Sequence, residues 1–212
     1  MTSIAAIRTD YKLRSLHESD VAPGPFAQFT RWWNEAMASD ISEVNAMTLA
    51  TVAADGTPSA RIVLLKGYDE AGFVFYTNYH SRKAADMEAN NKVVLLFFWK
   101  ELERQVRIEG VIEKVDASQS DEYFASRPEG SKIGAWASPQ SSVIASREVI
   151  EENVTELEKS FAGKEIDRPP HWGGYVVKPT LIEFWQGRQS RLHDRIQYIL
   201  KGNEWKIERL AP

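Results

Sequence analysis

Apolar residues follow two periods along this chain, and the switch between them predicts most of its elements. In FAQFTRWWNEAMASD, Phe26, Phe29, Trp33 and Met37 recur at helical spacing and predict a helix over 26–40. NAMTLATVA (45–53), PSARIVLLKGY (58–68) and FVFYTN (73–78) read as strands, joined at Asp55-Gly56 and closed at Gly72. SRKAADMEANN (81–91) reads as a short helix with Ser81 at its N-cap, and KVVLLFFWK (92–100) and RQVRIEGVIEKVD (104–116) as a further strand pair. SQSDEYFASRP (118–128) and the amphipathic SREVIEENVTELEKSFAGKE (146–165) look helical, the latter ending near Gly163. YVVKPTLIEFWQG (175–187), RIQYILKG (195–202) and NEWKIERL (203–210) close the chain as strands, with a turn at Gly202-Asn203. Antiparallel hairpins with helices inserted between them predict an α+β antiparallel barrel. Residues 1–24 are polar and aperiodic, and APGP (22–25) marks where the compact body begins.

Composition narrows the chemistry. With 212 residues, 43% hydrophobic and 26% charged, the chain is sized for one globular domain. A net charge of −4 argues against nucleic acid as a partner, so local basic clusters point to small anions. There is no cysteine, which removes disulfides, thiol nucleophiles and iron–sulfur ligation. His17, His80, His171 and His193 lack metal-ligand spacing, so no metal is expected. MTSIAAIRTDYK has no basic n-region, and the longest apolar run, VVLLFFW (93–99), is too short to span a bilayer. A cytoplasmic protein without a membrane partner is expected.

Three stretches concentrate charge. In EFWQGRQSRLHDR (183–195), a strand through 191–195 would turn Arg191, His193 and Arg195 to one face and Leu192 and Asp194 to the other. Two guanidiniums flanking an imidazole repel unless something anionic or electron-rich sits among them; the competing reading is a solvated edge strand. Ser81, Arg82 and Lys83 open a helix, where the dipole disfavours cations. A phosphate on the free backbone N–H groups would explain them, as would side chains reaching outward. Tyr123 and Arg127 lie four apart on a predicted helix, Pro128 turns the chain, and Ser131 falls near a second helix start, which makes another possible oxyanion site. Arg61 and Lys66 bracket RIVLLK with opposite strand parity, so either a bulge re-aims one or they serve different ligands or subunits. No GxGxxG after a strand, no GxxxxGK[ST] and no GxSxG occurs.

EFWQ followed by four residues and RLHDR resembles the signature of the pyridoxamine 5′-phosphate oxidase family. RIVLLK, FYTN, SRKA, LERQV, YFASRPEGSKIGAWASPQSS and the terminal WKIERLAP agree in order, from about Asn45 to Pro212. The resemblance implies an FMN-binding split β-barrel, antiparallel and Greek-key-like with peripheral helices, working as a homodimer with flavin at the subunit interface. It implies a flexible N-terminal segment over 1–24 that acts as a substrate lid, through Arg8 and Tyr11, and a single FMN-binding domain over 25–212. By motif match, Arg61, Arg82 and Lys83 hold the FMN phosphate side with Gln140 and Ser141. Ile62, Val63, Leu64, Leu65 and Lys66, together with Tyr76 and Thr77, line the flavin. Gln105 lies on its ring, and Trp185 and Arg195 complete the pocket. Lys66, Tyr123, Arg127 and Ser131 take the substrate phosphate, and Arg191 and His193 lie against the pyridine ring as the catalytic, orienting pair. The implied reaction moves hydride from the substrate C4′ to flavin, with dioxygen as acceptor and hydrogen peroxide as product, and converts pyridoxine 5′-phosphate and pyridoxamine 5′-phosphate to pyridoxal 5′-phosphate. Rival readings are a split-barrel FMN reductase, against which the Tyr123–Arg127–Ser131 cluster weighs, and a noncatalytic binder of FMN or pyridoxal phosphate. KLRSLHESD (12–20) is less basic than in some relatives, which puts a second, regulatory pyridoxal phosphate site in doubt.

Overall fold

The computed structural model describes residues 3–6 and 10–212. Its helices are α1 (Pro25–Met37), α2 (Arg82–Ala89), α3 (Ala117–Ala125), α4 (Glu129–Ala137) and α5 (Glu148–Phe161). Its strands are β1 (Ala46–Val52), β2 (Pro58–Leu64), β3 (Gly67–Asp69), β4 (Gly72–Asn78), β5 (Lys92–Trp99), β6 (Arg104–Lys114), β7 (Trp172–Gln186), β8 (Asp194–Lys201) and β9 (Glu204–Leu210). The class is α+β, as the pattern predicts. The strands are hydrogen-bonded in the order β2-β1-β5-β6-β7-β4-β3, with β8 pairing β7 and β9. The chain folds as two compact units: Met1–Leu49 with Val94–Gly110 and Pro179–Pro212, and Ala50–Val93 with Val111–Lys178. Among the described residues no helix is long and apolar enough to cross a membrane.

In the first unit, α1 starts where Pro25 occupies the first helical position, which needs no backbone donor. It buries Gln28, Phe29, Trp32 and Ala36. Trp32 and Ala36 take the buried positions that the sequence pattern gives to Trp33 and Met37; Met37 is 58% exposed and the helix ends there. Phe29 packs against Phe97 at 5.5 Å between centroids, and Trp32 meets Phe184 edge-on at 5.2 Å. Each such ring contributes on the order of 1.5–3 kcal/mol by burial. The antiparallel β7–β8 pair sets Trp185 opposite Arg195, and β8–β9 sets Tyr198 opposite Ile207.

In the second unit, β4 runs antiparallel to β3 and to the first half of β7, with Tyr76 opposite Gly174 and Thr77 opposite Gly173. Phe124, Ile133, Ile166 and Trp172 form a buried cluster under α3, α4 and α5. The predicted strand over 58–68 is broken: β2 ends at Leu64, and the Lys66 N–H reaches across to the Val74 carbonyl at 2.8 Å before β3 begins. The parity question about Arg61 and Lys66 therefore dissolves, because no regular strand connects them.

Candidate functional site

The second unit contains a cleft of about 490 Å³. β2 and the segment after it supply Ile62, Val63, Leu64 and Lys66; β4 and α2 supply Tyr76, Thr77 and Lys83. Tyr123, Arg127, Ser131, Gln140 and Trp172 complete the lining. The fold thus gathers into one cleft residues that the sequence assigns to a cofactor and residues that it assigns to a substrate phosphate. Leu65, 5% exposed, turns its side chain into the core and does not line the cleft.

One wall is aromatic. Tyr76 stacks on Tyr123 at 3.9 Å and on Trp172 at 5.5 Å, with interplanar angles of 17° and 10°. The stack depends on Gly174: a Cβ there would come within 2.7 Å of Tyr76 Cε1 and 2.6 Å of Val115 Cγ2. Burial pushes the Tyr76 phenol up from its ordinary value, and Tyr123 adds to the shift.

Among the described residues, two cations of the cleft, Arg127 and Lys83, have no carboxylate partner. The Arg127 guanidinium lies 4.4 Å from the centre of Trp172 and 5.4 Å from that of Phe124. Its Nη1 is buried and has no hydrogen-bond partner. Burial lowers its pKa, partly opposed by Tyr123. Tyr123 and Arg127 do not share a helix face as expected, since α3 ends at Ala125 and Pro128 holds Arg127 in the following turn. Ser131 does sit in the first turn of α4. Lys83 Nζ donates to Gln140 Oε1 at 2.9 Å and to Thr77 Oγ1 at 3.3 Å, both neutral acceptors. Burial lowers its pKa, and Arg61 lowers it further.

Arg61 and Arg82 are placed differently. Arg61 donates to Thr51 Oγ1 at 2.8 Å and to Ser59 Oγ, and its Nη2 lies 3.8 Å from Asp86 Oδ2. Asp86 is 5% exposed and accepts from Thr51 at 2.7 Å and Ser59 at 3.0 Å. Burial alone would raise its pKa, but these hydrogen bonds and then Arg61 and Arg82 bring it below the usual carboxylate value. Arg82 is exposed and does not line the cleft. Ser81 occupies the N-cap of α2 but does not cap it with its side chain; the buried hydroxyl donates to the Asn78 carbonyl at 2.7 Å. Ser141 is exposed in a left-handed conformation with φ 71°.

The first unit holds the other predicted residues: Tyr11, Gln105, Trp185, Arg191, His193 and Arg195. Arg8 lies outside the described residues. The predicted strand over 191–195 is absent. Residues Gln189–Arg191 form a 3-10 turn, Ser190 and Arg191 have φ of 55° and 62°, and β8 begins only at Asp194. Two non-glycine residues in the left-handed region cost on the order of 1 kcal/mol each, and such costs gather at ligand sites. The turn is held from both sides: the Arg188 N–H donates to His193 Nδ1 at 3.1 Å, and the Arg188 guanidinium donates to Asp194 at 2.8 Å. The imidazole is therefore an acceptor at Nδ1, which fixes its neutral tautomer with the proton on Nε2. It lies 4.5 Å from the Trp185 ring, and Tyr11 meets Trp185 edge-on at 5.8 Å. Burial lowers the His193 pKa, and Arg191 lowers it further.

Arg195 donates to Glu183 Oε1 at 2.7 Å and to the Ala211 carbonyl at 2.9 Å. Glu183 is 2% exposed and also accepts from Arg107 at 2.5 Å. Its burial would raise the carboxyl, but hydrogen bonds from Arg195 and Arg107 hold it below the usual range. Gln105 is half-buried on β6.

Residues 33–161 match the family model for pyridoxamine 5′-phosphate oxidase, and residues 172–212 match that for the pyridoxine 5′-phosphate oxidase C-terminal dimerisation region. The chain belongs to the pyridoxamine 5′-phosphate oxidase family. A pyridoxine/pyridoxamine 5′-phosphate oxidase of Burkholderia multivorans is 59% identical over 218 residues, which cover 100% of each chain. One from a Cyanothece species is 54% identical over 210 residues, 99% of each. PhzG from Burkholderia lata, solved in complex with tetrahydrophenazine-1-carboxylic acid, matches with a TM-score of 0.88 and 30% identity over 94% of this chain and 99% of that one. An oxidase-related, FMN-binding protein from Nostoc punctiforme shares the fold, with a TM-score of 0.69 at 17% identity over 91% of this chain and 100% of that one.

For this member of the pyridoxamine 5′-phosphate oxidase family, several residues that shape the two clusters carry no motif. Trp172 and Gly174 stand in HWGGY, where paired glycines in an apolar run signal a close approach, though not to which ring. Asp86 follows Arg82 by one helical turn, which reads as an exposed charge pair on α2, whereas Asp86 is buried and pairs with Arg61. Glu183 opens the EFWQ block and reads there as an outward strand residue, whereas it is buried.

Proposed function

We propose that this protein is an FMN-dependent oxidase that converts pyridoxine 5′-phosphate and pyridoxamine 5′-phosphate to pyridoxal 5′-phosphate. The observation that carries the reading is Arg127: a guanidinium stacked on Trp172 with a buried, unpartnered Nη1 suits a phosphate beside an aromatic ring. The donor set of the cleft suits FMN as well. Lys83 meets only neutral acceptors, and the stack of Tyr76, Tyr123 and Trp172 favours planar ligands. The residues to hold FMN are Arg61, Arg82, Lys83, Gln140 and Ser141 at its phosphate, with Ile62–Lys66, Tyr76, Thr77, Gln105, Trp185 and Arg195 for the remainder. Bound FMN would supply two-electron acceptance, with dioxygen as the final acceptor and hydrogen peroxide as product.

The chain's own groups bind and orient. Lys66, Tyr123, Arg127 and Ser131 take the substrate phosphate. Tyr11, Arg191 and His193 orient the pyridine ring, and Arg8 joins them by motif match alone. His193, neutral with its proton on Nε2, offers a hydrogen-bond donor to a substrate oxygen or nitrogen. Arg191 adds positive charge without a proton to lose. The match to a dimerisation region supports a homodimer, and the cytoplasm is the proposed location.

The test uses purified protein. It should carry flavin absorbance and consume oxygen with pyridoxine 5′-phosphate and pyridoxamine 5′-phosphate, and should sediment as a dimer. Oxygen consumption with NADH but with neither vitamin phosphate would refute the assignment in favour of a reductase; bound flavin with no turnover would favour a binding protein.

A further inference from the structure

Glu103 follows a 3-10 turn over Lys100–Leu102 and is itself left-handed, with φ 53° and ψ 40°. Its carboxylate accepts two consecutive backbone N–H groups of the N-terminal segment, Lys12 at 2.8 Å and Leu13 at 3.0 Å. Its backbone carbonyl accepts the Gly187 N–H at 2.8 Å and Gln186 Nε2 at 3.2 Å. One residue therefore grips both the N-terminal segment and the chain leaving β7. Gly187 is the surface on which the segment rests. A Cβ built there would stand 2.7 Å from Tyr11 Cγ and 2.8 Å from its Cβ and Cδ2. The ring placed on this glycine is the one that meets Trp185 at 5.8 Å and His193 at 6.1 Å. A second carboxylate, Asp194, accepts the Leu16 N–H at 3.0 Å and so fixes the far end of the segment.

We propose that Glu103 is a positioning residue: it holds the backbone at Lys12 and Leu13 so that Tyr11 sits on Gly187 against Trp185 and His193, and thereby sets the affinity for the vitamin substrate. This rests on the reading of Tyr11 and His193 as substrate-orienting groups. The two contacts have separable consequences. Loss of the Glu103 carboxylate frees the segment. A methyl group on Gly187 leaves both carboxylates in place and presses instead on the Tyr11 side chain from its Cβ outward.

The experiment uses the flavin-loaded full chain and the variants Glu103→Ala, Glu103→Gln, Gly187→Ala and Tyr11→Gly. The first readout needs no turnover: the rate of tryptic cleavage after Lys12 and Arg14 under native conditions. Two charge-assisted bonds are lost in Glu103→Ala, so cleavage should rise by about tenfold or more. It should rise less in Glu103→Gln, which keeps a neutral acceptor, and stay near wild type in Gly187→Ala. The second readout is kinetic. KM for pyridoxine 5′-phosphate should rise about fivefold to tenfold in Glu103→Ala and Gly187→Ala, with kcat and flavin content little changed. In a Tyr11→Gly background, which removes the Cβ as well as the ring, the Gly187→Ala effect on KM should vanish, which a merely structural glycine would not do. Unchanged cleavage in both Glu103 variants overturns the proposal. So does a KM effect of Gly187→Ala that persists without the Tyr11 ring. If wild type turns over neither vitamin phosphate, the assigned function fails, while the cleavage rates still decide whether Glu103 holds the segment. Should Glu103→Ala not fold, Glu103→Gln decides alone.

Discussion

The two clusters treat their cations in opposite ways. Around Trp185 and His193, the arginines that reach inward are answered by carboxylates: Arg104 by Glu35, Arg107 and Arg195 by Glu183, and Arg188 by Asp194. In the cleft of the second unit, Arg127 faces indole and phenyl rings, and Lys83 faces an amide and a hydroxyl oxygen. A compensated buried cation belongs to the fold. An uncompensated one has a desolvation cost that only an anion brought from outside offsets. By this criterion the proposed phosphate contacts fall to Arg127 and Lys83, and the Trp185–His193 cluster offers an aromatic and hydrogen-bonding surface.

The largest expected effect tests the compensated side. Glu183→Ala leaves Arg107 and Arg195 without their shared partner and should cost about 3 kcal/mol of stability, read by denaturant unfolding. A loss no larger than that of an exposed substitution would remove the distinction. The same network should make stability sensitive to acid. Glu183 and Asp194 both have folded pKa values below their ordinary ones, because hydrogen bonds to arginines, and in Asp194 also from Leu16, outweigh burial. Their contribution is therefore complete above the unfolded carboxylate pKa and is lost as pH falls through the depressed folded values.

Next in size is Arg127→Ala. Losing a charge-assisted contact worth roughly 1.5–3 kcal/mol should raise KM for pyridoxine 5′-phosphate by about 10- to 100-fold, and should erase discrimination against the unphosphorylated vitamin. Stability should change little, since Nη1 has no protein partner to lose and removal of a desolvated guanidinium offsets the loss of its stacking on Trp172, about 2 kcal/mol for a desolvated pair. Loss of flavin with substrate affinity intact would reassign Arg127 to the cofactor.

Lys83 and Arg82 grade the cleft more finely. Lys83→Met should weaken flavin retention by about tenfold, and the exposed Arg82→Met by less, because a solvated surface charge contributes only about 0.3–1 kcal/mol at a helix start. Equilibrium dialysis of FMN ranks the two, and equal effects would mean that solvation does not separate them. The smallest effect concerns His193. Its midpoint, followed by NMR of the ring nitrogens, should lie below 6.5, with Nε2 protonated at neutral pH. Because the folded value is depressed, this histidine should begin to cost stability as pH drops below its unfolded value, and the cost should level off below the folded one.

Much of this was legible in the sequence, for reasons that differ by element. The alternations in β1 and β6 and the amphipathic run in α5 state their structure locally by period, and the short, bounded apolar run of β5 does so by its length and β-branched and aromatic content. What period could not supply were interruptions with a tertiary cause. β2 stops at Leu64 because the Lys66 N–H is drawn to the Val74 carbonyl. The RLHDR stretch is not a strand at Arg191 because Arg188 and His193 close a turn across it. Eleven positions assigned by motif line the cleft: Ile62, Val63, Leu64, Lys66, Tyr76, Thr77, Lys83, Tyr123, Arg127, Ser131 and Gln140. The motifs could not tell Lys83 from Arg82, since only the turn of α2 decides which neighbour faces inward. The supporting groups Glu103, Asp86 and Glu183 were illegible for a simpler reason: a carboxylate's partners lie far away in sequence.

The division of the chain has a consequence for how it is made. The first unit contains both Met1–Leu49 and Pro179–Pro212, so its early residues are synthesised long before their packing partners. At about 5–20 residues per second, Trp32 on α1 must wait on the order of 10 s for Phe184 on β7. That part of its apolar face is uncovered for that time, while the second unit, whose last residue is Lys178, is already synthesised. Slow translation through 179–212 should therefore lower the yield of folded protein more than an equal delay through 111–145, and α1 is the segment that a chaperone would have to shield.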